Sequence, residues 1–246
     1  MTQSTESTTG SNPFTKPGFI IAAALVVALI AAAVVIFLLP KGQGNAQPAP
    51  AETSSSATAK PSGSAAAGKS VCGLPASKET ALGSAPKSKW DLVGTMAVPT
   101  DPSTSGPGTV GTDGLRSCFA QSPTGALYAT ANIWAASFNG YAKQVYLELS
   151  ADSPSRDKAV QAINEGKDVD GGTSPKVQIA GFIVHSYTPE AAVVELAIKS
   201  NDGGYGAFST SLVWEDGDWK MDIPAAGGGA VRQISDLSSF IPWAGL

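Results

Sequence analysis

Residues 177–223 read VQIAGFIVHSYTPEAAVVELAIKSNDGGYGAFSTSLVWEDGDWKMDI. Apolar and polar side chains alternate here, and short polar breaks divide the stretch into four segments, 177–187, 191–199, 205–214 and 219–223. A twofold period is typical of β-strands, because successive side chains of a strand point to opposite faces of the sheet. Short breaks favour hairpins between sequential strands. The stretch therefore predicts a four-stranded antiparallel meander.

The second segment indicates how the two faces of this sheet are used. Val194, Leu196 and Ile198 share one face of the strand, whereas Glu195 and Lys199 share the other. An antiparallel sheet often packs one face on a core and leaves the other solvated. We therefore expect the valine, leucine and isoleucine to face the core and Glu195 to lie near solvent.

The last hairpin has a strong turn signal, Asp216-Gly217. A two-residue turn there places Trp214 directly opposite Trp219, so that the two rings lie on the same face of the sheet. Together with Trp134 and Phe138 of a predicted helix, these tryptophans are expected to form the structural core. The alternative is that the four aromatic side chains line a ligand cavity.

Two amphipathic helices are predicted before the sheet. The first begins at the cap signal Ser122-Pro123 and ends at Asn139-Gly140. Its apolar residues recur at helical spacing, at Leu127, Ala131, Trp134 and Phe138. The second follows the same signal at Ser153-Pro154 and covers 154–165. Residues 141–150 fit a helix or a strand.

The segments that flank these elements complete the fold prediction. Residues 90–98 predict a first strand, and 99–114, rich in Pro and Gly, predict a long loop. After the sheet, the glycines at 227–229 precede a short apolar segment, 234–243, that we expect to dock back on the domain. Helices followed by a consecutive antiparallel sheet predict an α+β domain with helices packed on a curved antiparallel sheet.

Residues 19–39, FIIAAALVVALIAAAVVIFLL, contain no charged or polar side chain. At about 1.5 Å per residue, a helix of this length covers roughly 30 Å, the thickness of the hydrocarbon core of a bilayer. The apolar part of a cleavable signal peptide is shorter, about 7–15 residues. The stretch therefore predicts a single transmembrane helix that anchors the chain in the lipid bilayer, with a processed secretory protein as the alternative.

This span divides the chain into parts of different character. Residues 1–18 are polar and predict a disordered cytoplasmic tail. Residues 40–70, rich in Ala, Ser, Pro and Gly, predict a flexible linker, and 71–246 predict one domain. The Lys and Arg residues near the span do not decide its orientation. The linker and the two cysteines beyond it favour a cytoplasmic N-terminus and a domain outside the cell membrane.

Composition excludes several classes of function. The chain has 246 residues, a formal net charge of −4, one His and two Cys. One His and two Cys are too few ligands for a zinc site built from these residue types. An acidic domain without a cluster of Lys and Arg is a poor candidate for binding the phosphate groups of nucleic acid or anionic lipid. We therefore expect no metal, no cofactor and no nucleic-acid partner.

Cys72 and Cys118 are the two cysteines of the chain. Outside a reducing cytosol we expect them to form a disulfide, and the alternative is two unconnected buried thiols. The bond would join the segment 72–89 to the body of the domain. No Cys-x-x-Cys spacing is present, so the role expected for the bond is structural.

Three stretches carry a resemblance to known proteins: 211–224 (SLVWEDGDWKMDIP), 116–127 (RSCFAQSPTGAL) and 240–243 (FIPW). The first resembles the closing hairpin of the nuclear-transport-factor-like (cystatin-like) domains that actinobacterial membrane proteins carry outside the membrane. Together the three are similar to uncharacterised membrane proteins encoded near conjugative elements. The resemblance implies a cone-shaped domain and an envelope component related to the assembly proteins of type IV secretion channels. It implies no catalytic residue.

An enzymatic function is an alternative hypothesis, because domains of the fold that the resemblance implies sometimes hold a pocket in which a carboxylate and a Tyr transfer protons. The candidate side chains are His185 and Tyr187 on a predicted strand, with Asp91, Glu148 and Glu195 on or near other elements. No nucleophile elbow and no phosphate-binding glycine loop is present. We therefore expect no catalytic residues.

These observations predict a single-pass, non-enzymatic envelope protein. Its extracytoplasmic domain is expected to mediate contacts with other envelope proteins or with itself, in an assembly related to conjugation or type IV secretion. The alternative is a small-molecule-binding or isomerase-like domain with a pocket between helix and sheet.

Overall fold

The computed structural model describes residues 68–167, 176–224 and 231–245. The predicted cytoplasmic tail, the predicted transmembrane helix and most of the predicted linker, residues 1–67 together, lie outside the described residues. Within the described ranges, no helix combines the length and the apolar character needed to cross a membrane.

Along the described chain the helices precede the main sheet, as the sequence predicts, although β3 lies within the range predicted as a loop. The strands are β1 Lys89–Val93, β2 Met96–Thr100, β3 Thr109–Val110, β4 Arg116–Ser117, β5 Val177–Tyr187, β6 Ala191–Ser200, β7 Tyr205–Glu215, β8 Asp218–Asp222, β9 Arg232–Ile234 and β10 Ile241–Pro242. The helices between β4 and β5 are α1 Pro123–Ala136, α2 Ala142–Glu148 and α3 Pro154–Asn164, and a wider π-helical turn, Ser137–Tyr141, joins α1 to α2. The α+β prediction is confirmed.

The main sheet has the strand order β10-β5-β6-β7-β8, and all of its strand pairings are antiparallel. The predicted meander is confirmed as β5 to β8. The last turn pairs Trp214 with Trp219 in the predicted register. β9 pairs with the first part of β7, residues 205–207, at the same edge where β8 pairs with residues 211–215. Two register shifts interrupt the pairing of β5 with β6, and such bulges bend a strand.

Both predicted helix starts are confirmed by their caps. The side chain of Ser122 accepts a hydrogen bond from the backbone N–H of Gly125, and that of Ser153 accepts one from the N–H of Arg156. Each bond satisfies a donor that the first turn of a helix leaves without an internal partner. A proline follows each cap, where its missing N–H costs nothing.

The first helix leaves helical geometry at Asn139 and Gly140, where the sequence predicts its end. The ambiguous residues beyond this break form the helix α2. The predicted single strand 90–98 is wrong, because the chain turns at Gly94 (φ 58°) and makes the hairpin β1-β2. A Cβ at Gly94 would meet the side chain of Asn139. The turn therefore requires glycine, both for its backbone and for its contact with the helix break.

One face of the main sheet packs against α1. Val194 and Leu196 of β6, Phe208 and Leu212 of β7, and Leu127 of α1 are buried in one continuous core. The predicted inner face of the second meander strand is therefore confirmed. Burial of such side chains is the main favourable term in folding.

The opposite face of the sheet is covered by the C-terminal segment 231–245. Phe240 packs there with Ala197 of β6 and Ala207 of β7. The expectation that Glu195 lies near solvent is wrong, since this residue is only 4% exposed. The alternation of β6 correctly predicts its face, but the chain returns across that face and buries it.

The same segment then passes around the edge of the sheet. β10 pairs with β5, and Trp243 returns to the inner core. Its ring centroid lies 4.7 Å from that of Trp90, 5.5 Å from that of Phe182 and 5.9 Å from that of Tyr128. The predicted docking of the terminal apolar segment is confirmed, and it reaches both faces of the sheet.

The predicted disulfide joins Cys72 to Cys118. Beside it, Asp218 at the start of β8 is 3% exposed and accepts hydrogen bonds from the backbone N–H groups of Cys118 (2.6 Å) and Phe119 (2.8 Å). Burial raises the pKa of Asp218, and these N–H groups offset part of that rise. The bond and the carboxylate together hold the N-terminal segment and the residues before α1 against the last hairpin.

Asp218→Asn should lower the free energy of unfolding by about 2–3 kcal/mol, because an amide in place of one carboxylate oxygen turns a donor toward a buried N–H. Urea denaturation at neutral pH measures the loss. Asp222→Asn is the matched control, because it makes the same substitution at the half-buried far end of β8. Similar losses in the two variants would contradict a special role for Asp218.

Candidate functional site

A cavity of about 220 Å³ lies between the helices and the sheet. Its walls come from the end of α1, the π-helical turn, α2, and the strands β7 and β8. Most of the lining is apolar or aromatic, with a few hydroxyl groups and one carboxylate. The lining residues are Trp134, Ser137, Phe138, Ala142, Val145, Tyr146, Ser209, Thr210, Ser211, Met221, Asp222, Ile223 and Pro224.

The break in the helix shapes one wall of this cavity. Trp134 and Phe138 line it from the side of α1, and Ala142 and Val145 line it from α2. Between them Gly140 has φ 87°, a conformation that favours glycine. π-helical turns are rare, and they are frequently found at functional sites.

A gap beside β7 shapes the other wall. The pairs Ser211↔Asp222 and Ala207↔Arg232 join β7 to β8 and to β9. In the described part of the chain, no strand pairs with 208–210 on that side of β7. The cavity reaches the sheet at this gap, where Thr210 contributes to its lining.

Trp134 connects the two walls through a partly buried hydrogen bond. Its indole Nε1–H donates to Oγ1 of Thr210 over 2.7 Å. Its ring also packs on the rings of Phe208, with centroids 4.4 Å apart, and Phe138, at 5.3 Å. These contacts hold the indole in one orientation, so the cavity wall is formed before any ligand arrives.

The four aromatic residues predicted as core divide into two pairs. Trp134 and Phe138 are half-buried and line the cavity. Trp219 is fully buried, and half-buried Trp214 packs edge-on against it with centroids 5.2 Å apart. The second pair contributes to the core and does not line the cavity.

The candidate catalytic residues lie away from this site. Tyr187 packs against Trp219, and burial, reinforced by the charge of Glu190, raises the pKa of Tyr187 to about 12. Asp91 forms an ion pair with Arg116. The described lining of the cavity includes none of the five side chains that the sequence suggests for proton transfer. The described residues also contain no group of three His, Cys, Asp or Glu placed to hold a metal ion.

Two of those five residues do meet, on the outer face of the sheet. Oε2 of Glu195 lies 2.7 Å from Nε2 of His185, and its Oε1 accepts hydrogen bonds from Nη2 (2.6 Å) and Nε (3.1 Å) of Arg232. The carboxylate is buried, whereas His185 and Arg232 are half exposed. Burial opposes ionisation of Glu195, but the hydrogen bonds from His185 and Arg232 outweigh it and lower its pKa. The cluster ties β5, β6 and β9 together.

Sequence reasoning missed two residues of these arrangements. Thr210 lies between Phe208 and Leu212 on the inner side of β7. A polar residue at a position where the alternation predicts an apolar one could have indicated a functional role for Thr210. Arg232 had no such signal, because its pairing with Glu195 depends on the return of the C-terminal segment.

Glu195→Gln should make the protein less sensitive to acid than the wild type. Since the folded-state pKa of Glu195 is lowered, its ionised form contributes stability above the unfolded pKa, and this is lost as pH falls through the folded pKa. Urea unfolding measures the free energy of unfolding at about pH 7 and about pH 3, and the difference between the two values should be smaller in the variant than in the wild type. Exposed Glu190→Gln is the control, and an equal acid-induced loss in all three proteins would contradict the prediction.

Comparison with known proteins gives one match. A family model described as Domain of unknown function (DUF8175) matches residues 49–242. No curated protein and no solved structure matches the chain. The family match extends from the predicted linker into β10 and covers well over half of the chain. The chain therefore belongs to the family described as Domain of unknown function (DUF8175).

Proposed function

We propose that the folded domain binds one small, mostly apolar molecule in the cavity between α1, α2 and the sheet. The observation that carries this proposal is the cavity itself, with aromatic walls and a buried hydroxyl group at Thr210. Ligand sites are typically concave and apolar, with a small number of placed polar groups. The proposal is for binding without a chemical step.

The size of the cavity limits the ligand. An engineered apolar cavity of about 150 Å³ holds benzene. A space of about 220 Å³ therefore suits a single ring with a few substituents better than a nucleotide or a large cofactor. The orientation of Trp134 by Thr210 and Phe208 reduces the ordering that binding would require.

The location of this binding domain is the second part of the proposal. We propose that residues 19–39 anchor the chain in the cell membrane and that the domain works outside it, at the end of the linker. The Cys72–Cys118 disulfide supports this location, because such bonds persist in oxidising compartments. Helices on one face of a bent antiparallel sheet, with a cavity between them, support a nuclear-transport-factor-like arrangement.

Protein contact in the envelope, in an assembly related to conjugation or type IV secretion, is the alternative proposal. Leu92 and Val110 support it, since they are 63% and 58% exposed. The hairpins that carry these two residues are joined by an ion pair between Asp91 and Arg116. Asp91 precedes Leu92 in β1, and Arg116 of β4 pairs with Val110 of β3. Two apolar side chains therefore stand on adjacent surface elements, where a partner protein could cover them.

Ala142→Leu tests the cavity. Ala142 is 7% exposed and lines it, so the larger side chain should occupy the ligand's volume and weaken the binding of isopropylbenzene by about tenfold or more. The thermal stability should stay equal or rise, whereas the same change in a filled core costs about 1–3 kcal/mol. Calorimetric titration of the full chain in lipid nanodiscs measures binding, with protein-free nanodiscs as the blank.

Lys143→Leu is the matched control, because it places the same side chain on the solvent side of the same helix. It should leave the binding of isopropylbenzene unchanged. If the wild type binds no ring-sized probe, the ligand proposal fails and the contact role becomes the leading one.

The location has its own test in membranes isolated from native cells. In denaturant, a maleimide should label neither Cys72 nor Cys118 before reduction and should label both after reduction; denaturant is needed because Cys118 is fully buried in the folded domain. Cys72→Ser is the positive control, because it leaves Cys118 as a free thiol. Two free thiols in the native protein would contradict a location outside the cytoplasm.

A further inference from the structure

Thr210 is the only hydroxyl-bearing residue among the inward-facing positions at the centre of β7. Its neighbours on the same face, Phe208 and Leu212, belong to the core, and its cross-strand partner is the buried Val194. Thr210 itself is 4% exposed. A polar group in such surroundings is costly unless its hydrogen-bonding capacity is used.

Part of that capacity is used inside the protein. A hydroxyl group can accept hydrogen bonds and donate one, and Oγ1 of Thr210 accepts the bond from the indole N–H of Trp134. Over residues 68–167, 176–224 and 231–245, the hydrogen bond accepted from Trp134 is the one that the Thr210 side chain makes, and no bond has its hydroxyl group as the donor. A buried donor without an acceptor is unfavourable, so a ligand with an acceptor at this point gains an interaction at little cost.

The rest of the lining narrows the chemistry further. A carboxylate or phosphate would enter a cavity whose described lining contains no Lys or Arg and does contain Asp222, so an anionic ligand is disfavoured. Asp222 would attract an ammonium group, but an ammonium group has no acceptor and would leave the hydroxyl hydrogen of Thr210 unused. An uncharged oxygen acceptor is therefore the group that matches Thr210.

We infer that Thr210 is the specificity-determining residue of the cavity and that it donates a hydrogen bond to a carbonyl or ether oxygen of an uncharged, ring-sized ligand. This inference rests on the proposed ligand-binding function. It adds that the site discriminates between molecules of equal size by one acceptor atom. Trp134 acts as a positioning residue, since its N–H occupies one of the two lone pairs of Oγ1 and leaves the hydroxyl hydrogen for the ligand.

Acetophenone and isopropylbenzene are the matched probes, because they have the same number of non-hydrogen atoms and differ in the carbonyl oxygen. Calorimetric titration of the full chain in nanodiscs compares wild type with Thr210→Val for each probe. Each probe also partitions into the lipid of the nanodiscs. This effect is the same for wild type and variant, so it cancels when their affinities for one probe are compared. Thr210→Val should weaken acetophenone binding by about 2- to 10-fold more than it weakens isopropylbenzene binding, because the lost bond to Trp134 affects both probes and the lost donor affects acetophenone alone.

Thr210→Ser keeps the hydroxyl group and should keep the selectivity for acetophenone, which separates loss of the donor from loss of the threonine methyl. If Thr210→Val weakens the binding of both probes equally, or of neither, the inference is wrong although the cavity still binds. If the wild type binds neither probe, the proposed function fails as well. If Thr210→Val does not fold, the test uses wild type and Thr210→Ser. The inference is then wrong if each of these two proteins binds acetophenone and isopropylbenzene with equal affinity.

Discussion

The return of the C-terminal segment around the edge of β5 is the constraint on which much of the domain depends. A sheet whose central strand carries apolar residues on both faces needs cover on both sides. The helices cover one face, and Phe240 covers the other beside Ala197. Trp243 then enters the core from the opposite side of the same edge strand. The main sheet is thus enclosed by one short segment that pairs with β7 and with β5.

This enclosure explains the most unusual electrostatic feature of the domain. Glu195 would be an ordinary solvated carboxylate on a bare sheet, but the returning segment buries it. A buried carboxylate without partners is strongly unfavourable, and Arg232 and His185 supply the hydrogen bonds that it needs. Removal of one partner would leave a buried or poorly compensated charge, so the three side chains depend on one another.

The cavity has a different origin, in two places where regular structure stops. The helix breaks at Asn139 and Gly140, and none of the described strands pairs with β7 between its contacts with β8 and β9. Where regular elements end, close packing is interrupted and space remains between the layers. The polar group that borders this space, Thr210, is held by Trp134, so a preformed donor faces an apolar volume. On that combination we base the proposal that this space is a binding site and not a packing defect.

The sequence by itself determined the local elements and their order. Twofold alternation predicted β5 to β8, Ser-Pro pairs predicted both helix starts, and two cysteines predicted a disulfide, because these depend on neighbouring residues or on counting. Only the tertiary structure decided that Glu195 is buried, that Trp134 lines a cavity while Trp219 fills the core, and that 90–98 turns at Gly94. These outcomes depend on contacts between residues distant in the chain, and local periodicity carries no information about such contacts.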